Sequence, residues 1–247
     1  LPLTAGFLIA GPTCGVLADR YGARPFATVG LLVSAGTFVA LQALPVDFSY
    51  VGFGFILFAN GLGMGAFGAP NQTGIMNSLP PAQRGVGAGM TATFMASAQV
   101  LSIGIFFTLM ILGLSASLPS ALFHGLTVNG VGVHTARRVS ALPPVGSLFA
   151  AFLGYNPLRE LLGPALSHLS AHSAAHLTSR SFFPRLIAPP FGKGLHEAFD
   201  FAFAACLLGA VASFLRGGKY HHGQDELALA HEPASQAMAE TTAGVVD

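Results

Sequence analysis

The residues with the clearest chemistry form a charged turn near the start of the chain, with the pattern G-x-L-x-D-R-x-G-x-R-P. Its acid can face the positive end of a neighbouring helix, and its bases can pair with that acid. Its glycines let two helices approach closely. The pattern therefore predicts a charge network that closes a helix–helix turn, and it consists of Gly15, Asp19, Arg20, Gly22 and Arg24. The alternative is a plain basic loop that only orients the chain.

Amide side chains recur at helical spacing in a later apolar stretch. Asn60, Met64, Phe67 and Asn71 share one helix face, and Gln72 lies beside it. A polar side chain is costly in an apolar environment, so each amide indicates either a cavity or a contact between helices. We expect Asn71 and Gln72 to line a cavity, and hydrogen bonding between helices is the alternative.

A second stripe follows in the next apolar stretch and has the same character. It comprises Ala88, Ala92, Met95, Gln99, Ser102 and Phe106. Methionine and phenylalanine beside an amide form an adaptable surface that suits varied apolar ligands. We expect Met95 and Gln99 to line the same cavity as the first stripe.

Three glycines lie on one face of the helix that carries the first stripe, namely Gly61, Gly65 and Gly68. Such a face lets a neighbouring helix pack closely. No strand precedes these glycines, so they do not form a phosphate-binding loop. We therefore assign them to helix packing.

Other reactive residues give no sign of catalysis. No nucleophile–base pair or pair of carboxylates is evident, so we expect neither an enzyme nor a cofactor. Cys14 and Cys206 lie in apolar runs, where cysteine is a small buried hydrophobe. His168, His172 and His176 could share a helix face and bind a metal, but without a nearby carboxylate or cysteine a solvent-facing helix is the favoured reading.

The composition defines the elements that must position these residues. Only 9% of the 247 residues are charged, 52% are hydrophobic, and the mean hydropathy is +0.63. A soluble domain carries about 25% charged residues. A net charge of +1 provides no basic field for nucleic acid. These values predict an all-α integral membrane protein.

Charge-bounded apolar runs locate the membrane crossings, since a spanning helix needs about 20 apolar residues. The sequence predicts five of them, at about 1–18, 25–45, 50–77, 86–114 and 197–216. Residues 117–196 form a long segment outside the membrane, with short helices expected at 135–141 and 157–177. The apolar run 145–155 is too short to span and is expected at the interface or packed on the bundle. The polar tail 217–247 is expected to be disordered.

Basic residues set the predicted orientation. Arg20 and Arg24, Arg84 and Arg216 lie in alternate connections, whereas the connection around Asp47 has no lysine or arginine. Positive charge in short loops marks the cytoplasmic side. We therefore expect the tail in the cytoplasm and residues 117–196 outside.

The charged turn resembles the cytoplasmic loop signature of the major facilitator superfamily, although Ala23 stands where a basic residue is common. The glycine-rich third stretch up to Pro70, with a following P-x-x-R-G-x-x-x-G, resembles the carboxy-terminal half of drug:proton antiporters with 14 spans. The amino-terminal half of that family carries an arginine in its fourth span, and the equivalent stretch 50–77 has none. The resemblance covers positions 1 to about 114 and the last span.

The resemblance implies that the chain is part of the carboxy-terminal helical half of an exporter in the plasma or inner membrane. Small amphiphilic compounds would be the substrate, a proton gradient would drive export, and the charged turn would steady a conformational gate. Leu1 already lies in an apolar stretch with no charged segment before it, so we expect no signal peptide and a missing amino-terminal half as partner. That half would then hold the main proton-binding carboxylate. Two alternatives remain, namely export of a lipid or cell-envelope component, and a non-transporting scaffold that binds a partner through residues 117–196.

Overall fold

The structure, a computed structural model, describes residues 1–45, 47–141 and 143–216. The tail 217–247, expected to be disordered, lies outside the described residues. Within them the chain is helical, and its helices are α1 Pro2–Tyr21, α2 Ala23–Gln42, α3 Tyr50–Asn77, α4 Arg84–Val128, α5 Val133–Ser140, α6 Pro144–Phe152, α7 Leu158–Leu162, α8 Ala171–Leu177 and α9 Phe182–Leu215. Two 3-10 turns, Pro81–Gln83 and Gly163–His168, stand between them. The expected all-α membrane protein is confirmed.

Four helices of the described chain are long and apolar enough to cross a membrane, namely α2, α3, α9 and the stretch 81–128 that contains α4. The 20-residue helix α1, expected as the first crossing, is not among them by that measure. The number of five crossings therefore stays a prediction.

The chain divides into two compact units, which are described separately. Unit 1 comprises the described residues of 1–99 and 202–216, and unit 2 comprises those of 100–201. Helices α4 and α9 each contribute residues to both units.

In unit 1, α3 packs on α1 through backbone contacts that only glycine permits. A Cβ on Gly61 would collide with the carbonyl oxygen of Leu3, and one on Gly65 would lie 2.8 Å from the amide nitrogen of Gly11. A Cβ on Gly68 would meet only the ring of Phe7, at 4.0 Å. Gly61 and Gly65 therefore lie in the close contact with α1, and Gly68 lies at its margin.

The opposite side of α3 packs on α2 in antiparallel fashion. A Cβ on Gly30 would lie 2.6 Å from the carbonyl oxygen of Gly63. Further along, Asn60 Nδ2 donates a hydrogen bond of 2.7 Å to Thr37 Oγ1, and both residues are buried. The stripe that begins at Asn60 is therefore partly covered by α2.

Unit 2 has its own hydrophobic core. Four leucines at every fourth position of α4 are fully buried there, namely Leu114, Leu118, Leu122 and Leu126. They meet Leu158 of α7, Leu177 of α8, and Phe183 and Ile187 of α9. Burying a leucine or phenylalanine side chain contributes about 1.5–3 kcal/mol, so this cluster stabilises the segment between the long helices.

The bounds of α4 and α9 differ from the predicted crossings. Helix α4 continues to Val128 instead of ending near 114, because its later leucines enter the core of unit 2. Helix α9 begins at Phe182 instead of 197 and includes Pro189 and Pro190. Its first half packs on α4, where a Cβ on Gly113 would lie 2.6 Å from Cα of Gly194.

The helix expected at 157–177 is interrupted, whereas α5 lies close to the expected 135–141. Gly163 ends α7 with φ 45°, and the chain then continues as a 3-10 turn. A new helix, α8, starts where Ser170 Oγ accepts a hydrogen bond from the amide of Ser173. His168 therefore lies in the 3-10 turn, whereas His172 and His176 lie on α8, so the three histidines do not share one continuous helix face.

Candidate functional site

Within the charged turn, a single residue, Gly22, connects α1 and α2. Gly22 has φ 92° and ψ 153°, a backbone conformation open essentially to glycine alone. Its amide donates a 2.8 Å hydrogen bond to the carbonyl oxygen of Ala18, which ends α1. Asp19, Arg20 and Arg24 are exposed beside this turn. The turn thus holds one carboxylate and two guanidinium groups close together along the chain.

The end of α9 packs on the beginning of α2. The guanidinium carbon of Arg24 lies 4.5 Å from the centroid of the Phe214 ring. Seven residues further along α2, the Leu31 side chain lies 3.3 Å from the Cβ position of Gly209. A cation–π contact at an exposed site contributes about 0.5–1 kcal/mol. The two contacts run antiparallel and bring the end of α9 to the charged turn.

Arg216, directly after α9, binds the last part of α3. Its Nη1 donates a 3.0 Å hydrogen bond to Asn71 Oδ1. Gly74 leaves room for the guanidinium group, since a Cβ there would lie 3.0 Å from Arg216 Nη2. The charged turn, the end of α3 and the end of α9 therefore lie at one end of unit 1, which we call the basic end.

The remaining residue of the charged turn, Gly15, lies one helical turn before Asp19. A Cβ on Gly15 would lie 3.7 Å from the Cβ of Ala69, an ordinary van der Waals contact. Helices α1 and α3 therefore run side by side in the same direction down to the basic end.

The expected cavity residues have different surroundings. Asn71 lies six residues before the end of α3, roughly 9 Å along the helix axis, and it binds Arg216. Gln72 is exposed beside it. Met95 and Gln99 lie on an exposed face of α4, and 65% of the Met95 surface is accessible. Their role in a cavity stays a prediction, and for Asn71 it is placed near the basic end.

A groove in unit 2 follows α4 beyond these residues. It has a volume of about 410 Å³ and is lined by Val100, Leu101, Gly104, Ile105, Thr108 and Leu109. Thr108 has the one polar side chain among these residues, and its hydroxyl group donates a hydrogen bond to the carbonyl oxygen of Gly104. The lining is therefore largely apolar. The groove includes none of the residues expected to bind substrate.

Sequence reasoning did not connect Arg216 with Asn71, because the two are 145 positions apart and belong to different predicted spans. In the sequence, Arg216 marks only the end of the last span and the predicted cytoplasmic side. The one available signal was that the amide of Asn71 and the arginine at position 216 both lie toward the predicted cytoplasmic ends of their spans.

The fold and these residues define a multi-pass helical membrane protein with a basic end. The chain is 34% identical over 93 residues to the uncharacterized MFS-type transporter YhcA of Bacillus subtilis (strain 168), and this match covers 38% of the chain and 18% of that protein. It is 29% identical over 101 residues to the riboflavin transporter RibZ of Clostridioides difficile (strain 630), covering 37% of the chain and 22% of RibZ.

These matches confirm the resemblance to the major facilitator superfamily over the aligned parts. The chain spans about a fifth of the length of each relative. No protein-family profile matches the chain, and no solved structure matches it significantly.

Proposed function

We propose that the chain forms part of the carboxy-terminal helical half of an exporter for small amphiphilic compounds. The observation that carries this proposal is the basic end of unit 1, where the charged turn and the ends of α3 and α9 meet. Two relatives named as transporters support it. Transporters of this construction rock two helical halves around a site near the midplane of the membrane.

In this proposal the basic end is cytoplasmic and forms part of the gate. Arg20, Arg24 and Arg216 place positive charge there, as the positive-inside rule requires. Asp19, on the turn made by Gly22, contacts the positive end of a helix in one conformation of the transporter only. The contacts of Arg24 and Arg216 with Phe214 and Asn71 keep the turn in place while that exchange occurs.

The wall of the substrate cavity would comprise Asn71, Gln72, Met95 and Gln99. Their amides would bind polar groups of the cargo, and the thioether would adapt to its apolar part. Riboflavin, named in one relative, is a ligand with both kinds of surface. We place the carboxylate that couples export to protons in the second helical half, since α1 to α4 carry no acid deep in their apolar stretches.

A scaffold that binds a partner through residues 117–196 is the second candidate. It is favoured by the independent core of unit 2 and by the exposed apolar side chains of α6. Such a protein would sit in the membrane without moving any cargo.

The test is accumulation of a lipophilic cationic dye, riboflavin and a fluorescent phospholipid in bacterial cells that express the full-length protein. We expect the protein to lower the dye level and an uncoupler of the proton gradient to restore it. Reduced riboflavin or phospholipid levels would instead assign those cargo classes. If no compound changes, the export proposal is wrong and the scaffold takes its place.

A further inference from the structure

In and just after helix α6, two small residues whose side chains the structure describes face the core of unit 2, and three large apolar residues are exposed. Ser147 is only 5% exposed, and Ala150 packs against the core of unit 2. By contrast, Val145 is 42%, Phe149 62% and Leu153 79% exposed. These three follow at every fourth position, and the amide of Leu153 still donates to the carbonyl oxygen of Phe149, so they share one helical face. We call them the α6 stripe.

This arrangement is opposite to that of a helix on a water-soluble surface. There the large apolar residues face the core and the outer face is polar. In unit 2 the core is already filled by leucines of α4 and α7 and by Phe183. A row of exposed apolar side chains on one short helix is typical of a surface that meets an apolar phase.

The lipid bilayer is the apolar phase within reach. Unit 2 comprises the later part of α4, the first part of α9 and the segment between them, and both helices are long and apolar enough to cross a membrane. Attachment to two such helices keeps α6 at a high effective concentration near the lipid surface. A soluble partner would have to be recruited from solution instead.

The flanking residues suit the headgroup region. Arg137 and Arg138 are exposed on α5, which ends four residues before α6 begins, and they complement anionic headgroups. Tyr155 follows the stripe, is 47% exposed, and donates a 2.6 Å hydrogen bond to Glu160 Oε1. That hydrogen bond raises the pKa of Tyr155 above its ordinary value. An amphipathic ring and basic residues beside an apolar face are typical of helices at membrane interfaces.

We propose that the α6 stripe lies in the bilayer, at the boundary between headgroups and acyl chains of the leaflet on its own side of the membrane. It anchors unit 2 to the lipid surface and fixes the segment between α4 and α9. This function does not depend on whether the protein transports a cargo or on which cargo it is.

The chain contains no tryptophan, so a single introduced tryptophan reports on one position. The experiment uses Phe149→Trp in the protein reconstituted into vesicles of phosphatidylcholine and phosphatidylglycerol. We expect blue-shifted emission, strong loss of emission with lipids brominated near the headgroup, weaker loss with deeply brominated lipids, and little quenching by acrylamide. The matched control is His172→Trp on α8, an exposed polar position, for which we expect the reverse.

Two results would overturn the proposal. Emission that acrylamide quenches and lipids do not would place the stripe in water. Blue-shifted emission that neither agent quenches would place it against protein, either a second copy or a partner. If Phe149→Trp does not fold, Leu153→Trp gives the same readout at a more exposed position.

The charge contribution is tested by lipid composition. In vesicles of phosphatidylcholine alone we expect weaker lipid quenching of Phe149→Trp. The added substitutions Arg137→Gln and Arg138→Gln should remove the difference between the two lipid compositions. Equal quenching in both compositions before these substitutions would contradict a role for the arginines in anchoring.

Discussion

Two glycines of α3 with the same predicted role have different surroundings, and this difference is testable. A Cβ at Gly61 meets the backbone of Leu3, whereas a Cβ at Gly68 has ordinary space. Gly61→Ala should lower the free energy of unfolding by about 1–3 kcal/mol, because the added methyl group overpacks the contact. Gly68→Ala should be neutral or stabilise by up to about 1 kcal/mol, because alanine favours a helix. Thermal unfolding in detergent and membrane abundance measure both, and equal effects would contradict the close contact between α1 and α3.

The hydrogen bond between Arg216 and Asn71 gives a second prediction at the scale of single residues. Both side chains are half-buried, so we expect the lower part of the range of about 1.5–3 kcal/mol for a hydrogen bond to a charged group. Arg216→Gln and Asn71→Ala should each lower the free energy of unfolding, and the double variant should lose less than their sum. Full additivity in this double-mutant cycle would show that the two residues do not interact.

Gln99 tests the cavity. If its side chain faces the cargo, Gln99→Ala should weaken the binding of hydrogen-bonding compounds by about 0.5–1.5 kcal/mol per lost hydrogen bond and so slow their export. The export rates of apolar compounds should stay nearly unchanged. The measurement is a panel of export rates normalised to membrane protein. A uniform change across the panel would make Gln99 a structural residue.

At the scale of residues, the sequence predicted the features that depend only on residues close together in the chain. The tight turn at Gly22 and the glycine face of α3 follow from residue types at fixed spacing. The binding of Asn71 by Arg216 does not, because it depends on how α9 packs against α3. Periodicity also grouped Asn60 with Asn71, although one faces Thr37 of α2 and the other Arg216.

At the scale of elements, the charge-bounded runs 25–45 and 50–77 nearly coincide with α2 and α3, whose ends lie at polar or charged turns. Helices α4 and α9 extend well beyond the runs predicted for them, and the membrane crossings themselves stay a prediction. The four leucines of α4 and the glycine contact between Gly113 and Gly194 extend both helices into unit 2. With 45 and 34 residues and a rise of about 1.5 Å per residue, both helices exceed a hydrocarbon core about 30 Å thick.

The two ends of α3 provide a matched test of its direction. Ser49 and Gln83 are both exposed and flank this helix. In a background without Cys14 and Cys206, a membrane-impermeant thiol reagent added to intact cells should label Ser49→Cys and not Gln83→Cys. After the membrane is permeabilised, both should be labelled. Labelling of Gln83→Cys in intact cells would reverse the proposed orientation.

At the scale of the whole molecule, composition and long apolar runs predicted a helical membrane protein, because a helix satisfies all backbone hydrogen bonds within one uninterrupted apolar segment of about 20 residues. The existence of a second unit with its own core was not predicted. Its buried residues are divided among α4, α5, α7, α8 and α9, and no short stretch of sequence shows that they meet.

The central claim is that the basic end of unit 1 acts as the gate of an exporter, and Asp19 tests it most directly. The measurement is the initial rate at which inside-out vesicles take up the lipophilic cationic dye under a proton gradient. Separate vesicle preparations contain equal amounts of the full-length protein, its Asp19→Asn variant or its Asp19→Glu variant. An exposed charge near a helix end contributes about 0.3–1 kcal/mol, so Asp19→Asn should slow uptake about two- to fivefold, and Asp19→Glu should restore part of the rate. Uptake by Asp19→Asn at the unmodified rate would show that the charged turn only orients the protein in the membrane.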